Sequence, residues 1–478
     1  MFPANVYVER RNRLRNDLQT GVLLFLGNNE SPMNYADNPY PFRQDSSFLY
    51  FFGLDSPGLA AVIDIDENKE IVCGADLAVD DIVWTGPQPS LRERCRQIAV
   101  HETGSLDALE AGLKKAREQG RPIHFLPPYR AEHVLRLKHW LGIDPTTIKD
   151  RASVLLIKAV VAQRSKKSPE EIAQIEAALD TTYEMQTLAM RMARPGALER
   201  EVAGAIAGLA LSRGVHLAFP TILSVHGEIL HNPFYGNVMK EGNLVVHDSG
   251  AESPLHYASD ITRTIPVGRK FAQKQKEIYS IVLDAQKCAM EAVKPGVEFR
   301  SIHRLACHRL ASGLRDLGLM KGNVEEAVEA GAHTLFFPCG VGHMLGLDVH
   351  DMEALGEDYV GYSETIRRNP AFGWKSLRLA KAVEPGFVVT VEPGIYFNPE
   401  LIARWKADEK CSEFINYDRV VQYSGFGGIR IEDDVLVTES AHRILGKKIP
   451  KTFEEMEAMN ERLAYPPRRA QKRGCSRG

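Results

Sequence analysis

The stretch NLVVHDSGAESPLHYASDITRTIPV, residues 243–267, decides how this chain folds. It reads as two apolar strands joined by a turn around Glu252, Ser253 and Pro254. Each strand nevertheless carries an aspartate, Asp248 or Asp260, where a core side chain is expected. A buried carboxylate is costly unless it is paired, hydrogen-bonded or bound to a metal. Something in the fold must neutralise both.

Two later stretches repeat the pattern. FVVTVEPGIYF (387–397) carries Glu392, and GGIRIEDDVLVT (427–438) carries Glu432. Ahead of them the Gly-rich FFPCGVGHMLGLDVHD (336–351) brings His343 and His350. Two aspartates, two glutamates and a histidine make a mostly oxygen donor set with one nitrogen. Such a set suits two divalent cations bridged by carboxylates, and Mn²⁺, Co²⁺ and Zn²⁺ are all chemically acceptable. Cations about 3.5–4 Å apart would share a water, lower its pKa and polarise a carbonyl. Each residue alone has a plainer reading: a strand aspartate at a turn or edge, a solvated glutamate in IEDD, a hydrogen-bonded loop histidine. Spacing alone leaves both readings open.

Around these strands the chain looks duplicated. A helix ends in Arg194-Pro195-Gly196 and a second follows in GALEREVAGAIAGLALSRG; later, Lys294-Pro295-Gly296 precedes FRSIHRLACHRLASGLRDLG. Each helix pair leads to a strand-rich segment with two carboxylates, so one site between pseudo-symmetric halves is expected. Ser168-Pro169-Glu170-Glu171 opens the first helix, with a Ser cap, Pro at the first helical position and Glu completing a capping box. Upstream, strands and helices alternate, as in an α/β domain with a mixed sheet. GVLLFLG (21–27), SFLYFFGL (47–54), LAAVIDID (59–66) and EIVCG (70–74) read as strands. Residues 90–98, 105–119 and 130–141 read as helices. The expected division is an α/β N-terminal domain at 1–165, a catalytic domain at 166–450, and a C-terminal helix with a basic tail at 451–478.

With 44% hydrophobic and 25% charged residues and a net charge of -3, the chain has the balance of an ordinary soluble protein. Neither nucleic acid nor a membrane is indicated as partner. The basic run PPRRAQKRGCSRG (466–478) reads as a frayed tail, and no apolar stretch approaches the roughly 20 residues of a membrane span. MFPANVYVERRNRLRNDLQ (1–19) has no apolar core of signal-peptide length. The seven cysteines are odd in number, scattered and never in CxxC, which indicates reduced thiols and a cytoplasmic location. Cys288, Cys307 and Cys339 lie among apolar residues and are expected in the core.

Four segments then carry a specific resemblance. HDSGAESPLHYASDITRTIPV (247–267), GVGHMLGLDVHD (340–351), TVEPGIYF (390–397) and FGGIRIEDDVLV (426–437) resemble the signature segments of the pita-bread metallopeptidases. The likeness is to the Xaa-Pro branch, which comprises aminopeptidase P and prolidase. YPFRQDSSFLYFFGLDSPG (40–58) is similar to that branch's N-terminal domain, which methionine aminopeptidases generally lack. The resemblance implies a pita-bread catalytic domain, two divalent metal ions with Mn²⁺ foremost, and hydrolysis of Xaa-Pro bonds in proline-containing dipeptides or peptides. It implies Asp248, Asp260, His343, Glu392 and Glu432 as metal ligands, with Asp260 and Glu432 bridging and Glu392 taking a proton from the attacking water. His350 matches a histidine that contacts substrate, His231 one that stabilises the tetrahedral intermediate, and Arg430 an arginine behind the ligands that fixes a carboxylate. The same family implies a homodimer with contacts through the N-terminal domain. Proline after the scissile bond makes a tertiary amide without N–H, so a pocket shaped for the ring is required.

The inserted segment 354–383 resembles one in prolidases of the human type, where an arginine at the position of Arg378 reaches the dipeptide carboxylate. A guanidinium offers a planar fork for that group, which favours prolidase over aminopeptidase P. Arg378 also reads as an ordinary arginine of a surface loop. TILSVHGEILHNPFYGN (221–237) departs from the family pattern before His231, so His226 and Asn232 have no assigned chemistry and His226 reads as structural or exposed. Residues 400–425 form a further insertion, expected beside the cleft or at a subunit contact. Two rival classes are a pita-bread binding module that has lost its ligands and a creatinase-like C–N hydrolase. The intact five-ligand set speaks against both.

Overall fold

Five strands from the first third of the chain form one mixed sheet in the computed structural model, which describes residues 1–268 and 270–462. They are β1 (Val22–Leu26), β2 (Ala60–Asp64), β3 (Lys69–Cys73), β4 (Glu102–Gly104) and β5 (Ile123–Phe125), in spatial order β4-β3-β2-β1-β5. The central three pair antiparallel, whereas β4 on β3 and β5 on β1 are parallel. Helices Leu91–Arg96, Leu106–Glu118 and Ala131–Leu141 lie where the sequence predicts them.

Residues 47–54 are not a strand. Ser46–Phe52 is a helix, capped by Asp45, whose side chain accepts from the Phe48 amide, and closed by Gly53 in the left-handed region at φ 61°. Every residue of this helix is buried. No polar face therefore marks a 3.6-residue period, and an aromatic-rich apolar run looks like a strand. Of the cysteines expected in the core, Cys307 is fully buried while Cys288 and Cys339 are half-buried. The basic run 466–478 lies outside the described residues; the helix Phe453–Arg462 precedes it.

The second helix system opens on its capping box. Ser168 Oγ accepts from the Glu171 amide at 3.4 Å, and Glu171 Oε2 accepts from the Ser168 amide at 3.0 Å. That starts the helix Pro169–Met192, which Glu199–Ser212 follows; Gln273–Ala292 and Phe299–Asp316 form the second pair. The halves repeat down to single hydrogen bonds. The Gly196 amide donates to Met239 and the Gly296 amide to Val383; the Glu199 amide donates to Asn237 and the Phe299 amide to Lys381. Leu198 bridges Val238 as Glu298 bridges Ala382.

Eight strands complete these halves: β6 (Ile222–Ser224), β7 (Leu244–Ser249), β8 (Ile261–Pro266), β9 (Val388–Val391), β10 (Gly394–Tyr396), β11 (Gly428–Arg430), β12 (Asp433–Val437) and β13 (His442–Ile444). The opening stretch is the antiparallel β7–β8 pair, with Asp248 opposite Thr262, and β6 flanks it. In the second half β12 lies between β9 and β13, and β10 pairs with β11. The seam is stitched sideways: the Glu432 amide donates to the Thr262 carbonyl, and Thr264 Oγ1 donates to the Arg430 carbonyl. Val245, Ile265, Val388 and Val389 are fully buried here, and each such side chain contributes about 1.5–3 kcal/mol. The carboxylates thus sit on a rigid platform.

One apolar cluster runs from the N-terminal sheet through both halves. A buried ion-pair network crosses it: Arg164, at the end of the helix Val154–Ser165, and Lys167 both hold Asp351, at 2.7 and 2.9 Å. Removing one partner of such a pair costs about 3–5 kcal/mol, so the loop carrying His343 and His350 is firmly pinned. No helix among the described residues is long and apolar enough to cross a membrane.

Candidate active site

A cavity of about 820 Å³ opens at the seam, and all nine predicted site residues line it: His231, Asp248, Asp260, His343, His350, Arg378, Glu392, Arg430 and Glu432. Two strands of each half, or the residues just beyond their ends, deliver the carboxylates. Asp248 lies in β7 and Asp260 immediately before β8; Glu392 follows β9 and Glu432 precedes β12. The Gly-rich loop runs beside β9, with the Thr390 amide donating to the His343 carbonyl and the Glu392 amide to that of Val341. This approach needs Gly342, because a Cβ there would stand 2.0 Å from the Thr390 carbonyl oxygen.

His343 is oriented by its own backbone. Its Nδ1 lies 3.0 Å from the Met344 carbonyl, which can only accept, so Nδ1 carries the proton. Nε2 is left facing Asp260 Oδ2 at 3.5 Å and Glu392 Oε1 at 3.6 Å. The tightest cluster is Asp260, His343 and Glu432, whose ligand atoms lie within 4.8 Å of one another. Asp248 is turned toward Arg430, to which it is ion-paired; Arg430 also donates to Thr262 Oγ1 and the Tyr396 hydroxyl.

The electrostatics show an unfinished site. Asp248 Oδ1, Asp260 Oδ1 and Glu432 Oε1 are buried without a hydrogen-bond partner among the described residues. Burial, with Glu432 and Asp248 nearby, pushes the Asp260 carboxyl far above its ordinary range. Burial, then Glu392 and Asp248, does the same to Glu432. Burial lifts Glu392 to about 7 against the pull of Arg430. Burial lowers His343 to about 4, so its imidazole is neutral and able to ligate. A neutral imidazole beside crowded, partnerless carboxylates is the donor set that divalent cations satisfy. Asp260, His343 and Glu432 fit a divalent metal ion.

His350 packs edge-on against His343, with ring centroids 4.4 Å apart, and its Nδ1 lies 2.9 Å from Glu353 Oε2. Burial, then the neighbouring His343, Arg378 and His231, holds it at about 2, uncharged. Arg378 is ion-paired through Nη1 to Glu353 and Glu357. Phe219, Pro220, Leu230, Pro233, Tyr235 and Pro338 supply an apolar wall. Asn232 also lines the cavity, bonded to Ser224 Oγ. His226 does not; it is half-exposed and paired with Glu228. The 400–425 insertion contributes nothing to the cavity wall; its Trp405 packs near Phe372 of the other insertion.

Thr262, Thr390, Tyr396 and Glu353 escaped the sequence reading. Thr262 Oγ1 donates to Glu432 Oε2 at 2.6 Å, and Thr390 Oγ1 accepts from the His343 amide. A signal existed for the threonines: Asp260 and Thr262, and Thr390 and Glu392, stand two apart and so share a strand face. Glu353 and Tyr396 gave none.

Carboxylates and an imidazole gathered at the seam of two pseudo-symmetric halves define a pita-bread metallohydrolase. Residues 173–439 match the model of "Metallopeptidase family M24", and residues 7–124 that of "Aminopeptidase P, N-terminal domain". The chain is 31% identical to the Xaa-Pro dipeptidase of Homo sapiens, over 93% of this chain and 90% of that one. It is equally 31% identical to the Xaa-Pro aminopeptidase of Haemophilus influenzae, over 95% and 97%. The solved Zn-substituted aminopeptidase P of Escherichia coli in complex with product superposes with a TM-score of 0.78 at 28% identity, covering 97% of this chain and 100% of that one. The chain belongs to metallopeptidase family M24.

Proposed function

We propose that this enzyme hydrolyses the bond before proline and prefers Xaa-Pro dipeptides, as a prolidase does. One observation carries the preference: Arg378 lines the same cavity as the carboxylate cluster. Both of its ion pairs use Nη1, and among the described residues no partner stands at Nη2 or Nε. That edge of the guanidinium is available to a dipeptide carboxylate, and the apolar wall suits a proline ring.

Asp248, Asp260, His343, Glu392 and Glu432 would hold two divalent ions; Mn²⁺ suits the oxygen-rich donors, and Co²⁺ or Zn²⁺ would substitute. Such ions supply Lewis acidity at the scissile carbonyl and an acidified water. Glu392, whose Oε1 lies 3.6 Å from His343 Nε2 at the carboxylate cluster, would take a proton from the attacking water. His231 donates to the developing oxyanion. His350, with Nδ1 facing Glu353, offers Nε2 to the substrate.

The same reading divides the chain into an N-terminal domain at 1–165, a catalytic domain at 166–450 and a C-terminal segment at 451–478. It makes the protein a cytoplasmic homodimer. The helix Val79–Thr85 supports the dimer: none of its residues is buried, and Trp84 is 86% exposed. A second substrate reading has its own support. A cavity of about 710 Å³, between the N-terminal sheet and the 347–356 segment, shares Val349 and His350 with the catalytic one, which gives a longer peptide somewhere to go.

Hydrolysis of Gly-Pro beside Gly-Pro-Gly-Gly, with Mn²⁺ and after chelation, tests the proposal. Metal-dependent cleavage of the dipeptide, weakened in Arg378→Leu, is expected. Cleavage of the tetrapeptide alone would make the enzyme an Xaa-Pro aminopeptidase. Activity that survives chelation would sink metal catalysis.

A further inference from the structure

The catalytic cavity and its neighbour are separated by three side chains. His350 lines both; Arg378 lines the catalytic cavity; Glu353 lines the neighbouring one. A small third space between them is bounded by all three, with Glu357. Within this partition a single oxygen does the joining. Glu353 Oε2 lies 2.9 Å from His350 Nδ1 and 3.0 Å from Arg378 Nη1. Glu357 also holds Arg378, but it is shared with Arg368 and is not bonded to His350 among the described residues. Glu353 alone couples the two substrate-facing groups.

We propose that Glu353 is the positioning residue that closes the end of the catalytic cavity and so sets the length of peptide it accepts. The inference rests on the Xaa-Pro reading above. Its carboxylate acts in two directions. Toward His350 it fixes the tautomer, because an acceptor at Nδ1 leaves Nε2 unprotonated toward the cavity. Toward Arg378 it holds Nη1 together with Glu357, so that the guanidinium stands as a fixed stop. Without Glu353 the stop is tethered only through Glu357, and the partition between the two cavities loses its middle member.

A purely architectural role does not fit. The Glu353 side chain is 49% exposed, and ion pairs of that exposure add little to stability. It sits at the start of the short turn Glu353–Leu355, just after Met352 in the left-handed region at φ 64°. The chain is bent there to bring this one carboxylate back toward His350.

The test compares wild type, Glu353→Gln and Glu353→Ala on Gly-Pro and Gly-Pro-Gly-Gly with Mn²⁺, with thermal midpoints as the folding control. In Glu353→Ala the ratio of kcat/KM for dipeptide over tetrapeptide is expected to fall about tenfold, the loss expected of one charge-assisted contact. The change in the ratio should lie in KM for the dipeptide, any fall in kcat that comes through His350 should be common to both peptides, and the midpoint should stay unchanged. Glu353→Gln keeps an acceptor for both partners and should recover most of the ratio. Equilibrium binding of Gly-Pro to a Glu392→Gln background, with and without Glu353→Ala, should weaken by the same factor. An unchanged ratio in Glu353→Ala overturns the assignment, whatever fall the two peptides share. A wild type that prefers the tetrapeptide would defeat the dipeptidase reading alone, since the ratio must still move in Glu353→Ala for this inference to stand.

Discussion

Thr262 Oγ1 donates to Glu432 Oε2 across 2.6 Å, joining a side chain of β8 in one half to a carboxylate of the other. The same hydroxyl oxygen accepts from Arg430 Nε at 3.0 Å, so one threonine orients both the carboxylate and the arginine behind it. Thr262→Val keeps the β-branched shape and removes both bonds. Loss of an outer hydrogen bond to a ligand costs about 10–100-fold in metal affinity or activity. Titration of the stripped protein with Mn²⁺ should show that loss, and Thr262→Ser should restore it.

The crowded carboxylates make metal uptake a proton exchange. Asp260 and Glu432 both have folded pKa values raised by burial and then by neighbouring carboxylates, and burial raises Asp434 as well. A carboxylate raised on folding binds more protons in the native state, so the stability it gives is complete below the unfolded value of about 4 and is lost as pH rises through the folded one. The chelated protein should therefore melt at a lower temperature at pH 8 than at pH 5. Divalent metal should reverse the deficit and release protons at pH 7. Calorimetry in two buffers of different ionisation enthalpy measures that release; its absence would mean that the carboxylates are already ionised.

Asp260→Asn separates stability from activity. Where the pH is high enough to ionise Asp260, the substitution removes a buried like charge from beside Glu432 and Asp248. In chelated protein at alkaline pH it should therefore stabilise the fold by about 1–3 kcal/mol, the scale of a buried polar group left unsatisfied. In metal it should fall to background activity on Gly-Pro. A urea midpoint below wild type would show that Asp260 is already satisfied in the metal-free state.

How much of this was legible follows from period and partner. The strands at 243–267 and 387–397 could be read because their apolar runs are interrupted at single, chemically costly positions. The duplication could be read because Pro-Gly closes a helix in both halves, and the same backbone bonds recur at Gly196 and Gly296. The aromatic helix Ser46–Phe52 reads as a strand in sequence because burial on every side erases the helical period. Glu353 was invisible for a different reason: its partners His350 and Arg378 meet it only after the chain folds back at Met352. Pattern reveals which residues are expensive to bury, and three-dimensional contact reveals what relieves them.

His256, which does not line the catalytic cavity, makes the last prediction. Its Nδ1 lies 2.6 Å from Glu252 Oε2 and its Nε2 2.8 Å from Asp55 Oδ2, so it clamps the β7–β8 turn to the segment after the helix Ser46–Phe52. Arg43 holds Glu252 from the other side at 2.8 Å. Burial opposes the imidazolium, and the bonds to Asp55 and Glu252 outweigh it, so the folded pKa is raised above 6.5. For a raised histidine the added stability is complete below the unfolded value and is lost as pH rises through the folded one. Charge-assisted bonds contribute about 1.5–3 kcal/mol, here at the low end because Asp55 is 42% exposed. Urea unfolding of wild type and His256→Gln should therefore differ more at pH 6 than at pH 9. A difference that grows toward pH 9 would show that the neutral imidazole makes the clamp.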